Sequence, residues 1–101
     1  MKTIPSLVNM IGLKVYHGSP GYEIPEVIAD VLPDENDNRM KVVFESGCFT
    51  NMSSEELEHF MDEGSVSYNH WFRNEHDTGM CRMFLTEEQY RLEKLLTCPT
   101  V

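Results

Sequence analysis

Glu26 to Met61 reads EVIADVLPDENDNRMKVVFESGCFTNMSSEELEHFM, and its punctuation decides the fold. Val27, Ala29 and Val31 alternate with Glu26, Ile28, Asp30 and Leu32, the period of a half-buried strand whose apolar side is Val27, Ala29 and Val31. Pro33 has no N–H to give a ladder and is expected to stop that strand. Asp34 to Asn38 (DENDN) favours a turn and resists burial. Met40 to Phe44 (MKVVF) is β-branched and aromatic, so a second strand is expected, and the pair forms a hairpin with an acidic loop at its tip. Gly47 marks a turn or bulge, and Cys48-Phe49-Thr50 a short third strand.

Ser53-Ser54-Glu55-Glu56 is a capping box, with Ser53 as N-cap and Glu56 reaching back to it. Met52 and Leu57 are placed for a hydrophobic staple. Leu57, Phe60 and Met61 share one helical face, and Gly64 is the stop. A helix over about 53–63 follows. Upstream, residues 1–11 read as a short helical turn or an extended lead-in. Gly12 to His17 (GLKVYH) reads as the first strand, with Leu13, Val15 and His17 on one face, and Gly18 to Gly21 as a turn. Downstream, Ser65 to Phe72 (SVSYNHWF) places Val66, Tyr68, His70 and Phe72 opposite Trp71. Arg73 to Gly79 is a polar loop, and Met80 to Leu85 pairs back as a last strand. Thr86-Glu87-Glu88-Gln89 is a second capping box, stapled by Leu85 and Tyr90. It opens a helix over about 86–97, with Tyr90, Leu92, Leu95 and Leu96 as its apolar side. The expected fold is a single α+β domain over residues 1–101: a small antiparallel sheet with two capped helices.

GLKVYH, a Gly-rich loop, PEVIADVL (residues 25–32), a polar turn, MKVVFES (40–46) and CFT (48–50) leading into a short helix resemble SH3-like and Tudor-like small β-barrels. The resemblance covers residues 12–61. It implies a partly open barrel that grips peptides, modified side chains or nucleic acid through aromatic residues near loop ends. The two capped helices depart from a minimal barrel.

The formal net charge of −9 is unevenly placed. Glu23 to Glu63 holds twelve acids against two bases, Arg39 and Lys41. Such a surface repels nucleic acid and anionic membranes and attracts a basic partner. No stretch of 18 apolar residues exists to span a bilayer. Pro5, Asn9 and Lys14 break up the N-terminal apolar residues, so no signal peptide is expected. Cys48, Cys81 and Cys98 have no motif spacing, which fits free thiols in a cytoplasmic protein.

Sites of chemistry are weakly marked. Asp34, Asn36, Asn38 and Glu45 fall on calcium-loop ligand positions, but Arg39 stands where that loop needs glycine. A hairpin tip explains the composition. His17, His59, His70 and His76 lack any paired spacing that would seed a zinc site. A hydrolytic reading would use Cys48 or Cys81 with a histidine base, and neither has a recognisable local setting. No catalytic residue, metal or cofactor is assigned. The leading expectation is a small non-enzymatic acidic protein that docks on a basic, nucleic-acid-binding surface of another protein, its carboxylates standing in for phosphates. In size and charge it resembles phage-encoded inhibitors of host nucleases and restriction systems. The expected contact residues are Asp30, Asp34, Glu35, Asp37, Glu55, Glu58, Asp62 and Glu63, with Trp71 as an aromatic anchor. The alternatives are an acidic face that is merely solvated and keeps the protein in solution, a barrel-type adaptor gripping a peptide through Trp71 or Tyr22, and a small metal-binding or hydrolytic enzyme.

Overall fold

The computed structural model describes residues 10–34 and 39–97. Among these residues the chain forms one six-stranded antiparallel sheet with two helices. The strands are β1 (Lys14–Gly18), β2 (Ile24–Asp34), β3 (Arg39–Phe44), β4 (Phe49–Ser53), β5 (Ser65–Trp71) and β6 (Thr78–Leu85). Helix α1 (Ser54–Glu63) joins β4 to β5, and α2 (Glu87–Thr97) follows β6. The order across the sheet is β4-β3-β2-β1-β6-β5, so β5 and β6 extend the same sheet through β1 rather than standing apart. The alternation of Leu13, Val15 and His17 holds: the first two are buried and the third is half-buried.

The expected phase of β2 is inverted over its first half. Glu26 and Ile28 are buried, while Val27 and Ala29 are only partly covered. The register with β3 slips between Ile28 and Asp30, a bulge that inserts one residue and returns Val31 to the core side. Nor does Pro33 end the strand, for it sits opposite Met40 within the ladder. β1 pairs with β2 only from Ile24 to Val27, and β3 only from Ile28 onward. Pro25 and Pro33 therefore each lie where β2 has a ladder neighbour on one side, so a missing N–H costs no ladder bond.

The cap and the stop read for α1 are both present, and of its apolar stripe Leu57 and Phe60 are buried while Met61 is half-buried. Glu56 N–H donates to Ser53 Oγ at 3.1 Å, and Ser53 N–H donates to Glu56 Oε1 at 2.8 Å. Met52, Leu57 and Phe60 are buried, and Gly64 closes the helix in the left-handed region with φ +80°. The second box is half formed. Gln89 N–H reaches Thr86 Oγ1 at 3.2 Å, but the Gln89 carboxamide oxygen accepts from Lys14 N–H, and Thr86 N–H donates to the Lys14 carbonyl. The helix start thus continues the hydrogen bonding of β6 along β1. Tyr90 lays its ring against Gly64, where an added Cβ would meet ring carbons at 3.2 Å. The side chains of Leu95 and Leu96 and residues 98–101 lie outside the described part, as do residues 1–9.

The core comprises Met10, Leu13, Val15, Ile28, Val42, Phe44, Met52, Leu57, Phe60, Val66, Tyr68 and Met83. No described helix is long and apolar enough to cross a membrane.

Candidate functional site

The ladder leaves β4 and β5 as its two edges, yet side chains join them. Asn51 on β4 accepts the Trp71 N–H at Oδ1 (2.9 Å) and donates from Nδ2 to the Trp71 carbonyl (2.8 Å). Arg39 on β3 donates to Asn51 Oδ1 and to the carbonyls of Asn51 and Asn69, at 2.8–3.1 Å. Its guanidinium lies 4.2 Å from the centroid of the Trp71 ring and 3.9 Å from Glu56. Arg39 is only 7% exposed, a cation buried among the acceptors it needs. Trp71 does lie on the face opposite Tyr68 and His70, but Arg39 covers it and it is half-buried.

This seam sets the place of the acidic residues. The registers Asp34↔Arg39 and Arg39↔Ser53 align the end of β2, the start of β3 and the end of β4. The end of β2 and the start of β3 therefore lie beside the N-terminus of α1, while Glu35 and Asp37, between those two strands in the sequence, lie outside the described residues. Glu55, Glu58 and Asp62 fall three and four residues apart on one face of that helix. Glu63 is exposed at its last turn.

Other acids stand elsewhere in the fold. Asp30 accepts the Val31 N–H at 2.8 Å. Glu23 sits 3.5 Å from Arg82 on β6. Glu26 is buried and accepts from Ser46 Oγ at 3.1 Å. Glu45 is exposed in the β3–β4 turn, at the other end of β3. The structure thus brings Asp34 and the α1 acids to one end of the sheet and leaves Asp30, Glu23, Glu26 and Glu45 away from it.

Between α1 and β5 lies an open groove of about 690 Å³, lined by Arg39, Ser53, Glu55, Glu56, His59, Ser65, Val66, Ser67 and Arg82. At the opposite end, Phe49 and Phe72 flank the His70 ring at 6.1 and 4.8 Å, and Lys41 Nζ stands 4.4 Å over Phe49. Phe72 is 65% exposed, and Tyr22, in the β1–β2 connection, is 81% exposed.

The interior beside this aromatic end is polar. Tyr68 Oη contacts His17 Nε2 and Thr50 Oγ1, and Thr50 Oγ1 contacts His70 Nδ1. Burial, then the neighbouring His70, lowers the His17 pKa to about 4. Burial, then Arg39, lowers that of His70. Burial pushes Tyr68 and the adjacent Cys81 upward, so Cys81 keeps its proton at neutral pH and is a poor nucleophile. Cys48 is exposed in the β3–β4 turn. Among the described residues, no three metal-capable side chains converge. The supposed calcium loop, Asp34 to Glu45, begins at the end of β2 and contains the whole of β3, so it is not a loop between two helices.

The residues that the sequence did not mark are Arg39, Thr50 and Asn51. Each acts through a partner 12 or more positions away, so no local spacing reveals them. No protein-family model, curated protein or solved structure matches the chain.

Proposed function

We propose that this is a small non-catalytic binding protein that docks on a basic, nucleic-acid-binding surface of another protein through the acidic end of its sheet. The observation that supports the reading is the register Asp34↔Arg39↔Ser53, which sets the end of β2 beside the start of α1, the helix that carries Glu55, Glu58 and Asp62. Spaced carboxylates on a strand end and a helix face offer a basic groove what a phosphate track offers it. The contact set is Asp34, Glu35, Asp37, Glu55, Glu58, Asp62 and Glu63. Such docking inhibits or modulates a nucleic-acid-processing enzyme, the role of a phage-type anti-host-defence factor. We read the side-chain bridge between β4 and β5 as the closure of a partly open SH3-like barrel, and the unpaired thiols of Cys48 and Cys81 as fitting the cytoplasm.

The test is capture of basic DNA-binding proteins on immobilised chain at low and high salt, against a Glu55→Gln, Glu58→Gln, Asp62→Gln triple variant. Expected is capture that fades as ionic strength rises through about 0.1–0.5 M and that the triple variant loses. Salt-independent capture, equal for both proteins, would overturn it.

The exposed Tyr22 and Phe72, with Phe49 and His70 beside the latter, favour a second reading as a peptide-gripping adaptor. Binding retained at high salt and lost on Phe72→Ala would select it.

A further inference from the structure

His17 on β1, Tyr68 and His70 on β5, and Thr50 on β4 form one line through the interior. His17 Nε2 lies 2.6 Å from Tyr68 Oη, which lies 2.5 Å from Thr50 Oγ1, which lies 3.0 Å from His70 Nδ1. Each contact holds one hydrogen between its two heavy atoms. Tyr68 and Thr50 bring one hydrogen each. The third comes from a histidine, and from one histidine only, since the other ring must present a lone pair. His17 faces the line with Nε2 and His70 with Nδ1. The two neutral rings therefore share a tautomer, both carrying hydrogen on Nε2 or both on Nδ1. Adding one proton keeps this count, because the charged ring donates inward and the whole line points to the other ring. Adding a second places four hydrogens on three contacts.

We propose that this line is a one-proton latch on the β4–β5 seam: it tolerates a charge on either histidine, and a second charge releases Thr50 from Tyr68 and His70 and opens the seam. Thr50 lies beside Asn51, which bridges to Trp71, so loss of the Thr50 contacts loosens the adjoining bridge.

The surrounding groups favour the uncharged line. Arg39 opposes charge on His70, and His70 opposes it on His17. Two groups act the other way: the Cys81 thiol also hydrogen-bonds Tyr68, but as a weak acceptor it competes poorly with Thr50 and His17 for the Tyr68 hydrogen, and Glu56 is the carboxylate that acts on Tyr68. On β2, Glu26 faces Val15, two residues before His17, with its carboxylate committed to Ser46. Lys41 stands over Phe49, whose ring flanks His70.

Long-range proton–nitrogen NMR spectra of the whole chain read the tautomer and titration of each ring, and amide exchange at Trp71 reads the seam. Expected are matched tautomers at neutral pH and two titration steps separated by about one pH unit or more, since each unit is tenfold in proton affinity. Trp71 exchange should quicken about tenfold with the second step and not with the first. Thr50→Val cuts the line at its middle, and should bring the two steps closer together. Should that variant not fold, the wild-type tautomers decide alone. Opposite tautomers in the two rings, or a seam that loosens with the first proton, would overturn the latch.

Discussion

The Asn51 carboxamide faces Trp71 as a neighbouring strand would, accepting its N–H and donating to its carbonyl at 2.9 and 2.8 Å. One side chain thus supplies the rung that the backbone ladder lacks between β4 and β5. Asn51→Ala strips both bonds and removes one acceptor of Arg39. Each half-buried partner left without a bond costs about 1–3 kcal/mol, so a loss of about 3 kcal/mol is expected in urea unfolding. Asn51→Gln, one methylene longer, should recover little of it. A loss under about 0.5 kcal/mol would mean that the seam contributes nothing to stability.

Gly64 carries two demands at once, a φ of +80° and the Tyr90 ring 3.2 Å from any added Cβ. Gly64→Ala should cost about 1–2 kcal/mol by thermal unfolding. Combining it with Tyr90→Ala separates the demands. The contact share disappears in the double variant, whereas the backbone share, about 1 kcal/mol, persists.

His17 stays uncharged in the fold down to about pH 4. In the unfolded chain it takes its proton near the ordinary value, about 6.5. Between these values the unfolded state binds more protons, so stability falls as pH falls through this window and this contribution levels off below it. The ring is half-buried and solvent screens the effect, so the loss is about 1 kcal/mol rather than the full span. His17→Gln, compared with wild type at pH 7 and 4.5, should lose less stability between the two. An equal loss in both would remove His17 from the acid response.

Asp30 caps the N–H of its neighbour Val31 on β2. Past Ile28, β2 has no ladder neighbour on its β1 side, and Pro33 has no N–H to offer there. One donor is capped and the next is missing, which is how a natural edge avoids pairing with another chain. Asp30→Ala with Pro33→Val should produce concentration-dependent association in sedimentation, while Glu55→Gln alone should not. Two monomeric variants would refute the guard.

The sequence was most legible where structure is local. Ser53, Glu56 and Gly64 declare α1 because a cap joins residues three or four apart, and the bonds form as read. Thr86 and Gln89 carry the same signature, but Lys14 competes for both partners, and only the fold brings Lys14 there. The faces of β2 are not legible in the sequence, because a bulge leaves no compositional mark and turns Ile28 inward in place of Ala29. The Asp34-to-α1 juxtaposition rests on a register between strands, and the His17–Tyr68 contact spans 51 positions. Neither is encoded in any window of neighbouring residues.

Arg39 has one further consequence. Of the two cations between Glu23 and Glu63, Arg39 spends its charge inside the molecule, and Lys41 lies over Phe49. Arg39 is thereby withdrawn from the solvent-facing charge balance, and the outer side of α1 is more acidic than a count of residues suggests. On the docking proposed above, dissolved cations gathered near this side would be released on association, and the entropy of their dilution would favour it.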